Sequence, residues 1–384
     1  MTKNRKLRIL VFIDWYLPGY KAGGGQRAFA NLVSHLRDEY EFYILTRDSD
    51  FKEREPYEGI QRNEWTELNL GEFVYYIPEE EVSFNRYREL FKEVNPDCIY
   101  INGIYSYKFS ILPLLLLRNT AFNGKIILGT YGMLAPTAIR IKGWKKRLFL
   151  YIAHIVGLYK KVVFHATSDQ EEMDIKNAFG EKTKVMLAPH LPVKDFPNLM
   201  EKIKKEGELK MISLARISPE KNTLFALECL KEVKMAKVVL DLYGPLYDLE
   251  YWEKCLEVLN SLPYNVVVTH KGIVEGNRVL DLLANYDCLY MPTRGENFGY
   301  SILESFMAGR PVIISNRTPW KGLESKKAGF DLDLGNPECF TNAVESLAAL
   351  NQDGYSVMCH ASWNEAKLFI NNPELRDLNR ALFV

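Results

Sequence analysis

Four charged residues in the second half of the chain have the types and the spacing to bind a phosphorylated sugar. Arg216 and Lys221 follow one short apolar run, and Glu296 and Glu304 follow another. Arginine binds phosphate oxygens in pairs and lysine adds a compact charge, so the two cations suit a diphosphate leaving group without a metal ion. Carboxylates accept hydrogen bonds from hydroxyl groups, so Glu296 suits a sugar and Glu304 suits a ribose.

An ordinary interpretation competes with the functional one for each pair. Charged residues that follow a strand are often only solvated at the protein surface. Two glutamates around a helix N-terminus are often one capping residue and one surface residue, and for a bare pair this interpretation is favoured. Residue types and spacing alone therefore leave both alternatives open.

Short apolar runs alternate with longer helical stretches, and this rhythm predicts the elements that position the four residues. The runs lie at 8–13, 42–46, 98–102, 126–130 and 162–167, and again at 211–215, 238–243, 266–269, 288–292 and 312–315. Such alternation is typical of parallel βαβ units, so we expect an α/β protein with two doubly wound parallel sheets. Ligands of these sheets bind beyond the carboxyl ends of the strands, which is where the charged residues fall.

The chain of 384 residues is too long for one ordinary domain, and its prolines indicate where it divides. Pro189, Pro192 and Pro197 precede a polar run, so neither a helix nor a strand continues cleanly there. The predicted segments are an N-terminal domain at 1–190, a hinge at 191–207, a C-terminal domain at 208–363, and a tail at 364–384 that packs back on the N-terminal domain.

A helix is predicted to begin near Gly299 and to end near Gly309, directly after Glu296. Free N–H groups at its start would bind phosphate or a sugar, with the Glu296 carboxylate just ahead of them. In the other charged loop, Pro219 is also predicted to start a helix, because proline fits the first helical turn.

The residues from Glu296 to Glu304 resemble the signature of the retaining glycosyltransferase family 4, whose fold is called GT-B. They share its Glu-x7-Glu spacing, its Asn-Phe-Gly core and its trailing Met-Ala-Gly-Arg-Pro-Val. Arg216 and Lys221 resemble the family's Arg-x4-Lys donor motif. Further matches in the second domain are Tyr243-Gly244-Pro245, Lys271-Gly272-Ile273 and Thr318-Pro319-Trp320.

The first domain resembles a subgroup of this family that builds surface polysaccharides, such as lipopolysaccharide, capsule or O-antigen. The matching segments are Gly132-Met133-Leu134-Ala135-Pro136, Lys145-Lys146, and His165-Ala166-Thr167-Ser168 with Glu171 or Glu172. The resemblance covers most of the chain, and its C-terminal half is the more specific part.

The resemblance implies two Rossmann-like domains that face each other across a cleft, and a role for each matched residue. Arg216, Lys221 and Glu296 would be catalytic: the cations would hold the donor diphosphate and Glu296 the transferred sugar. The donor-binding residues would be Glu304 at the ribose, Asn297, Phe298, Gly299 and Tyr300 at the sugar, and Gly244, Pro245, Lys271, Gly272 and Ile273 around the base. The acceptor-side candidates are Asn102, Tyr131, Gly132 and Met133.

By the same resemblance, the chain would transfer a sugar from a UDP- or GDP-sugar to a glycan or lipid-linked acceptor. The family implies retention of anomeric configuration, with no bound metal and no cofactor besides the nucleotide sugar. An inactive protein of the same fold that only binds nucleotide sugars is an alternative. The presence of Arg216, Lys221, Glu296 and Glu304 together argues against it.

A glycine-rich segment raises a second enzymatic hypothesis. Gly23, Gly24, Gly25 and Ala28 satisfy the pattern Gly-x-Gly-x-x-Ala of NAD-dependent oxidoreductases. That pattern forms a tight turn directly after the first strand, whereas here residues 14–22 intervene. A long loop that brings Gly23, Gly24 and Gly25 to the donor phosphate and the acceptor, as the family resemblance implies, fits better, and these three glycines would also be donor-binding residues.

Two positions depart from the family pattern. Many relatives have histidine where this chain has Tyr131, next to the reacting sugar, and His190-Leu191 replaces an Asn-Gly before the hinge. His190 and His270 follow strands, but a lone histidine is more often a structural hydrogen-bonding residue than a ligand-binding one.

Composition excludes several other classes of function. The chain has 49 basic and 49 acidic residues, so its formal net charge is zero, which argues against a general nucleic-acid binder and against a disordered chain. Six scattered cysteines are typical of core residues in a reducing compartment, and no close His/Cys/Asp cluster predicts a zinc site. With no signal peptide or membrane span recognised, the sequence predicts a cytoplasmic protein.

Residues 139–161 form a basic and aromatic stretch that could contact the inner face of the cell membrane. Its residues include Lys142, Trp144, Lys145, Lys146 and Arg147. Such a stretch can lie on an anionic bilayer, which would suit a lipid-linked acceptor. The alternative is a helix that packs its apolar side on its own sheet, and only the exposed face decides between the two.

Overall fold

The computed structural model describes residues 5–68, 71–118, 120–140 and 143–384. It divides the chain into two compact units. The first unit comprises Met1–Lys194 and Pro373–Val384, and the second comprises Asp195–Asn372. Residues 364–372 of the predicted tail therefore belong to the second unit, and residues 373–384 belong to the first.

The first unit is built on an eight-stranded sheet in the order β3-β4-β2-β1-β5-β6-β7-β8. Its strands are β1 (Leu7–Ile13), β2 (Tyr40–Arg47), β3 (Trp65–Glu67), β4 (Phe73–Ile77), β5 (Cys98–Asn102), β6 (Lys125–Gly129), β7 (Val162–Ala166) and β8 (Val185–Leu187). Every neighbouring pair is parallel except β3 with β4. The helices that connect them are α1 (Gly24–Leu36), α2 (Phe84–Val94), α3 (Leu112–Arg118), α4 (Pro136–Arg140), α5 (Gly143–Ile155) and α6 (Asp169–Phe179).

The second unit is built on a six-stranded parallel sheet in the order β11-β10-β9-β12-β13-β14. Its strands are β9 (Glu208–Leu214), β10 (Lys237–Tyr243), β11 (Val266–Gly272), β12 (Cys288–Met291), β13 (Val312–Ser315) and β14 (Gly329–Leu332). Its helices are α7 (Thr223–Leu230), α8 (Leu249–Leu259), α9 (Val279–Leu283), α10 (Tyr300–Met307), α11 (Pro337–Ala348) and α12 (Gln352–Ile370).

The last helix, α13 (Pro373–Ala381), returns to the first unit. The Tyr40 hydroxyl donates to the Arg380 carbonyl at 3.2 Å, and Asn379 Nδ2 donates to the Pro189 carbonyl at 2.7 Å. The Phe383 ring lies 5.3 Å from that of Tyr40 and 5.9 Å from that of Phe42. The C-terminal segment thus completes the core of the first unit.

The prediction of an α/β protein with two parallel sheets is confirmed, and each of the ten predicted strands lies within three residues of its observed bounds. Four strands were not predicted. Two of them, β3 and β8, have only three residues, and β14 begins with a glycine and contains an aspartate, both of which are depleted in strands. The fourth, β4, has the aromatic and β-branched composition of a buried strand.

Both sheets are covered on both faces, so their central strands are buried almost throughout. In β1 the residues from Ile9 to Ile13 are buried, and all four residues of β12 are buried. Continuous apolar runs of this kind are typical of parallel sheets between two helical layers. All six cysteines are unpaired and five of them are buried. Within the described ranges, none of the helices has the length and hydropathy needed to cross a bilayer.

Candidate active site

Two loops of the second unit bring Lys221 and Glu296 into contact. The first loop follows β9 and the second follows β12, and these strands are parallel neighbours in the sheet. The Lys221 ammonium donates a hydrogen bond to Glu296 Oε1, and the two side chains are 21% and 12% exposed. A cation and a carboxylate that lie 75 residues apart in sequence are therefore held together at the carboxyl edge of the sheet.

Asn222 joins the same two loops. Its backbone is left-handed, with φ of 61°, a conformation that asparagine tolerates better than most residues. Its Nδ2 donates to the Pro292 carbonyl at 3.0 Å, and its Oδ1 accepts from Arg294 Nε at 3.1 Å. The Arg294 amide in turn donates to the Glu220 carbonyl at 2.9 Å. These bonds fix the backbone on either side of Lys221.

The predicted helix start at Pro219 is wrong. The helix begins at Thr223, and the Asn222 amide donates to the Ser218 carbonyl at 3.0 Å within a turn. Because Asn222 takes a left-handed conformation, residues 218–222 cannot continue into α7 as one helix. Pro219 is therefore part of a rigid turn.

Arg216 lies directly beyond β9 and is exposed. Within the described part of the chain its guanidinium forms no ion pair. The neighbouring backbone is fixed by the Ile217 amide, which donates to the Pro245 carbonyl at 3.2 Å. A Cβ atom on Gly244 would lie 1.9 Å from the Ala215 carbonyl oxygen. Glycine at this position therefore lets the ends of β9 and β10 approach closely beneath Arg216.

The third predicted part of the site lies at the end of β11. The Gly244 amide donates to the Gly272 carbonyl at 2.7 Å, and His270 Nε2 lies 2.8 Å from the Gly244 carbonyl oxygen. His270 thus has a structural partner. Lys271 Nζ lies 3.8 Å from Asp241 Oδ1, and Ile273 is 45% exposed. Gly244, Pro245 and the residues from Lys271 to Ile273 are therefore brought to one edge of the sheet.

The helix predicted after Glu296 is confirmed as α10, which follows Gly299 with φ of 82°. Ser301 Oγ donates to the Leu214 carbonyl at 3.0 Å, which ties the first turn of α10 to β9. Trp320 Nε1 donates to the Phe298 carbonyl at 2.8 Å, which positions the loop of Asn297 and Phe298 ahead of Tyr300. Glu304, in the second turn, is only 9% exposed. It is therefore not the solvated glutamate of the ordinary interpretation.

In the first unit, Gly25 approaches two of the acceptor-side candidates. A Cβ atom on Gly25 would lie 3.7 Å from the Tyr131 ring and 3.8 Å from Asn102 Oδ1. Gly23 precedes α1 with φ of 99°, whereas Gly24 and Gly25 lie in the first turn of the helix. The prediction that all three glycines lie in a loop is therefore wrong for Gly24 and Gly25. Asn102 Nδ2 is buried without a hydrogen-bond partner among the described residues.

Tyr131 belongs to a buried chain of hydrogen bonds. Its hydroxyl lies 2.8 Å from that of Tyr100, which lies 2.7 Å from His165 Nδ1. Burial raises the pKa of Tyr131. Burial also lowers the pKa of His165 and holds the pKa of His190, whose ring lies 5.7 Å from that of Tyr131, at about 3. Near neutral pH these phenol and imidazole groups are therefore uncharged.

Glu171, rather than Glu172, is the glutamate that supports this corner. The Thr130 hydroxyl donates to Glu171 Oε1 at 2.5 Å, and the Gly132 amide donates to the same oxygen at 2.6 Å. The amide and hydroxyl of Thr167 donate to Oε2 at 2.8 and 2.6 Å. Burial alone would raise the pKa of Glu171, but these four bonds outweigh it and lower the pKa. The carboxylate fixes the turn that begins at Tyr131, whose φ is 47°.

Similarity to known proteins bears on the function of the residues at the carboxyl ends of the strands in the two sheets. Residues 208–349 match the family model described as Glycosyl transferases group 1. The α-monoglucosyldiacylglycerol synthase of Streptococcus pneumoniae is 23% identical over 366 residues, which cover 89% of this chain and 79% of that protein. An uncharacterized 41.2 kDa protein in the cps region of Klebsiella pneumoniae is 24% identical over 182 residues. That match covers 46% of this chain and about half of the Klebsiella protein, 48%.

Solved structures share the fold over nearly the whole chain. Sucrose-phosphate synthase from Thermosynechococcus elongatus has a TM-score of 0.69 at 15% identity, with 99% of each chain covered. The Anabaena protein HepE, in complex with UDP and glucose, has a TM-score of 0.67 at 14% identity, with 98% of each chain covered. The chain is a glycosyltransferase of the GT-B type.

Some residues that shape the site of this glycosyltransferase were not singled out from the sequence. Asn222 follows Lys221 directly, and an asparagine at a turn is a known signal for a left-handed residue. Ser301 offered no comparable signal, because its partner is a backbone carbonyl 87 residues away. Within the described residues, no group of three or more histidine, cysteine, aspartate or glutamate side chains could hold a metal ion.

Replacing Glu171 by glutamine is expected to lower the free energy of unfolding of the first unit by about 2 kcal/mol at pH 7. Glutamine cannot accept all four hydrogen bonds, and a buried donor that loses an ionised acceptor costs this much. Because folding lowers the pKa of Glu171 from its ordinary 4.5, its stabilising effect is complete above pH 4.5 and is lost as the pH falls through the folded-state pKa. Urea unfolding at pH 7 and at pH 3 measures both effects.

Glu172→Gln is the matched control for this experiment. Glu172 is one position along the same helix and pairs with Lys176 on the surface at 2.6 Å. An exposed pair of this kind contributes at most about 1 kcal/mol. Equal losses in the two variants, or a Glu171→Gln loss that is unchanged at pH 3, would contradict the supporting role of Glu171.

Proposed function

We propose that this glycosyltransferase transfers a sugar from a UDP- or GDP-sugar to a glycan or lipid-linked acceptor in the synthesis of a surface polysaccharide. The observation that carries the proposal is the contact of Lys221 with Glu296 at the sheet edge where Arg216 also lies, with no ion pair to Arg216 among the described residues. Two cations next to a carboxylate match a donor that has a diphosphate at one end and sugar hydroxyls at the other.

The two cations act on the leaving group in this proposal. As the glycosidic bond breaks, negative charge grows on the nucleotide diphosphate, and fixed cations at that position stabilise the transition state more than the bound donor. Because Lys221 and Arg216 supply this charge, the reaction needs no divalent metal. Glu296 accepts hydrogen bonds from the sugar hydroxyls, with backbone groups from Asn297 to Tyr300 beside it.

The remaining donor contacts are assigned by position at the sheet edge. Glu304, nearly buried in the second turn of α10, binds the ribose hydroxyls. Gly244, Pro245 and the segment Lys271–Gly272–Ile273 lie around the base. In the first unit, Asn102, Tyr131, Gly132 and Met133 lie at the acceptor, where the unpartnered Nδ2 of Asn102 can donate to a hydroxyl. We also propose that the anomeric configuration is retained.

The named relatives favour the same chemistry. The Streptococcus relative is named for glucosylation of a diacylglycerol lipid, and the Anabaena structure holds UDP and glucose. The Klebsiella relative is named for its place in the cps region. Together they favour a UDP-linked hexose and a surface glycan or lipid acceptor. The six unpaired cysteines favour a cytoplasmic location, where thiols stay reduced.

Nucleotide screening by thermal unfolding tests this proposal. A nucleoside diphosphate held at 100 times its dissociation constant is expected to stabilise the folded protein by about 2.7 kcal/mol. The shift should persist in EDTA, and nucleoside monophosphates should give less because they lack the second phosphate. If UDP, GDP, UDP-sugars and GDP-sugars all fail to raise the melting temperature, the assignment of the donor site is wrong. NMR of the product anomer tests retention.

A further inference from the structure

Basic and acidic residues are distributed unevenly along the chain. Residues 98–168 contain ten lysines and arginines and no aspartate or glutamate, although the whole chain has equal numbers of each sign. This segment spans β5, β6 and β7 with the helices between them. A neutral protein thus concentrates positive charge in one part of its first unit, which favours an anionic partner there.

One helix of this basic segment presents an apolar stripe to solvent. The stripe consists of Trp144, Leu148, Tyr151, Ile152 and Ile155 on α5, which are between 49% and 69% exposed. Their spacing of three, four and one residues places them on a single helical face. Leu150 and Ala153 are buried and pack α5 on its own unit. The helix therefore packs one side on the unit and leaves a second apolar side uncovered.

Basic residues lie at both ends of the stripe. Lys145 and Arg147 are exposed in the first turns of α5, and Lys160 and Lys161 are exposed shortly after its end. Among the described residues none of these four forms an ion pair. Lys142, which belongs to the predicted membrane stretch, lies outside the described residues. Apolar side chains flanked by unpaired cations are typical of helices that lie in an anionic membrane surface.

A cavity of about 510 Å³ opens at the C-terminal end of α5. Among the described residues that line it, Leu117 contributes to an apolar wall, and Arg118, His154, Lys160 and Lys161 are basic. Ile126 and Val162, at the amino ends of β6 and β7, also line it. The cavity is therefore at the sheet edge opposite to the Tyr131 turn, and it is separate from the proposed acceptor position.

We propose that α5 lies on an anionic phospholipid bilayer, with its apolar stripe at headgroup depth and a lipid phosphate in the cavity. Trp144 and Tyr151 have the amphipathic rings that favour this depth. The cations of the cavity supply the charge for the phosphate, and Leu117 with Ile155 supplies an apolar wall for the adjoining glycerol and acyl carbons. An acidic protein partner would match the charge but would have no reason to meet a stripe of aromatic and aliphatic residues.

Vesicle co-sedimentation tests the surface. The wild type should bind vesicles of phosphatidylglycerol and phosphatidylcholine, should not bind vesicles of phosphatidylcholine alone, and should dissociate as salt increases. Lys160→Gln with Lys161→Gln should lower the partition coefficient about 25-fold, because each basic residue near such a surface contributes about five-fold. Lys231→Gln with Lys234→Gln, two exposed lysines of the second unit, is the matched control and should leave binding unchanged.

Two further measurements separate the cavity from the general charge of the helix. Glycerol phosphate, a soluble headgroup analogue, should bind the wild type and the Lys145→Gln, Arg147→Gln variant, but not the Lys160→Gln, Lys161→Gln variant. Trp144→Ser with Tyr151→Ser, two stripe residues that do not line the cavity, should weaken vesicle binding while leaving glycerol phosphate binding intact. Loss of glycerol phosphate binding in both charge variants, or in neither, would overturn the assignment to the cavity.

Two outcomes would overturn the membrane proposal itself. One is failure of the wild type to bind phosphatidylglycerol vesicles at low ionic strength. The other is equal binding of inorganic phosphate and glycerol phosphate without any vesicle binding, which would make the cavity a free-phosphate site. Nucleotide binding is measured in parallel by thermal shift, so a failed membrane result with intact nucleotide binding contradicts only this inference.

Discussion

Alanine at Arg216 or at Lys221 is expected to lower the turnover number about 100- to 1000-fold, the range found when one fixed donor to a developing negative charge is removed. The structure places both cations at the carboxyl edge of one sheet, where the leaving diphosphate is proposed to lie. Arg216 forms no ion pair in the described part of the chain, so its loss should not change the melting temperature measurably. Initial rates at saturating donor and a melting curve measure the two effects.

The two cations also differ in a way that the kinetics should reveal. Lysine at position 216 keeps the charge but loses the planar fork that binds two phosphate oxygens, so Arg216→Lys should recover only part of the rate. Lys231→Ala, which removes an exposed lysine just after α7, is the control and should be unchanged. Normal turnover in both the Arg216 and the Lys221 alanine variants would remove the proposed diphosphate site.

Glutamine at Glu304 and at Glu296 is expected to affect different ligands. Glu304→Gln should weaken binding of the free nucleoside diphosphate about 10- to 100-fold, because a hydrogen bond to a charged acceptor is worth about 1.5–3 kcal/mol. Glu296→Gln should mainly weaken use of the complete nucleotide sugar. Calorimetric titration of each variant with the diphosphate and with the sugar donor separates the two roles.

The contact between Glu296 and Lys221 sharpens this expectation. Removing the carboxylate charge releases the ammonium from its partner, so the free diphosphate should bind Glu296→Gln at least as tightly as it binds the wild type. Glu304→Gln leaves the contact between Lys221 and Glu296 in place, so no ammonium is released to offset the lost hydrogen bond. Identical losses for both ligands in both variants would show that the two carboxylates do not bind opposite ends of the donor.

The sequence predicts those parts of the fold and site that depend on long, regular patterns. The buried strands β1, β5 and β12 are continuous apolar runs, so the sequence predicts them directly. The rule that ligands bind at the carboxyl ends of parallel strands predicts that Lys221 and Glu296 lie at one edge of the sheet. The direct contact of these two side chains could not be predicted, because it depends on how Asn222 turns the backbone. The helix start predicted at Pro219 is wrong for the same reason, because the left-handed Asn222 delays the helix to Thr223.

Choices between neighbouring residues also needed the structure. Glu171 and Glu172 are adjacent, and only helix orientation decides which of them faces the Thr130 and Thr167 donors. The basic stretch after residue 139 could equally be a packed helix or a membrane surface from its composition. The structure shows that α5 buries one side and exposes another, a division that its sequence periodicity does not resolve.

Because the C-terminal segment packs in the first unit, the core of that unit is completed only after this segment has been synthesised. Phe383 packs against Tyr40 and Phe42, yet it is synthesised only after the whole second unit, residues 195–372. At about 5–20 residues per second, the nascent first unit waits roughly ten to forty seconds for this part of its core. During that interval the Tyr40 and Phe42 rings lack the contact with Phe383 that covers them in the folded protein.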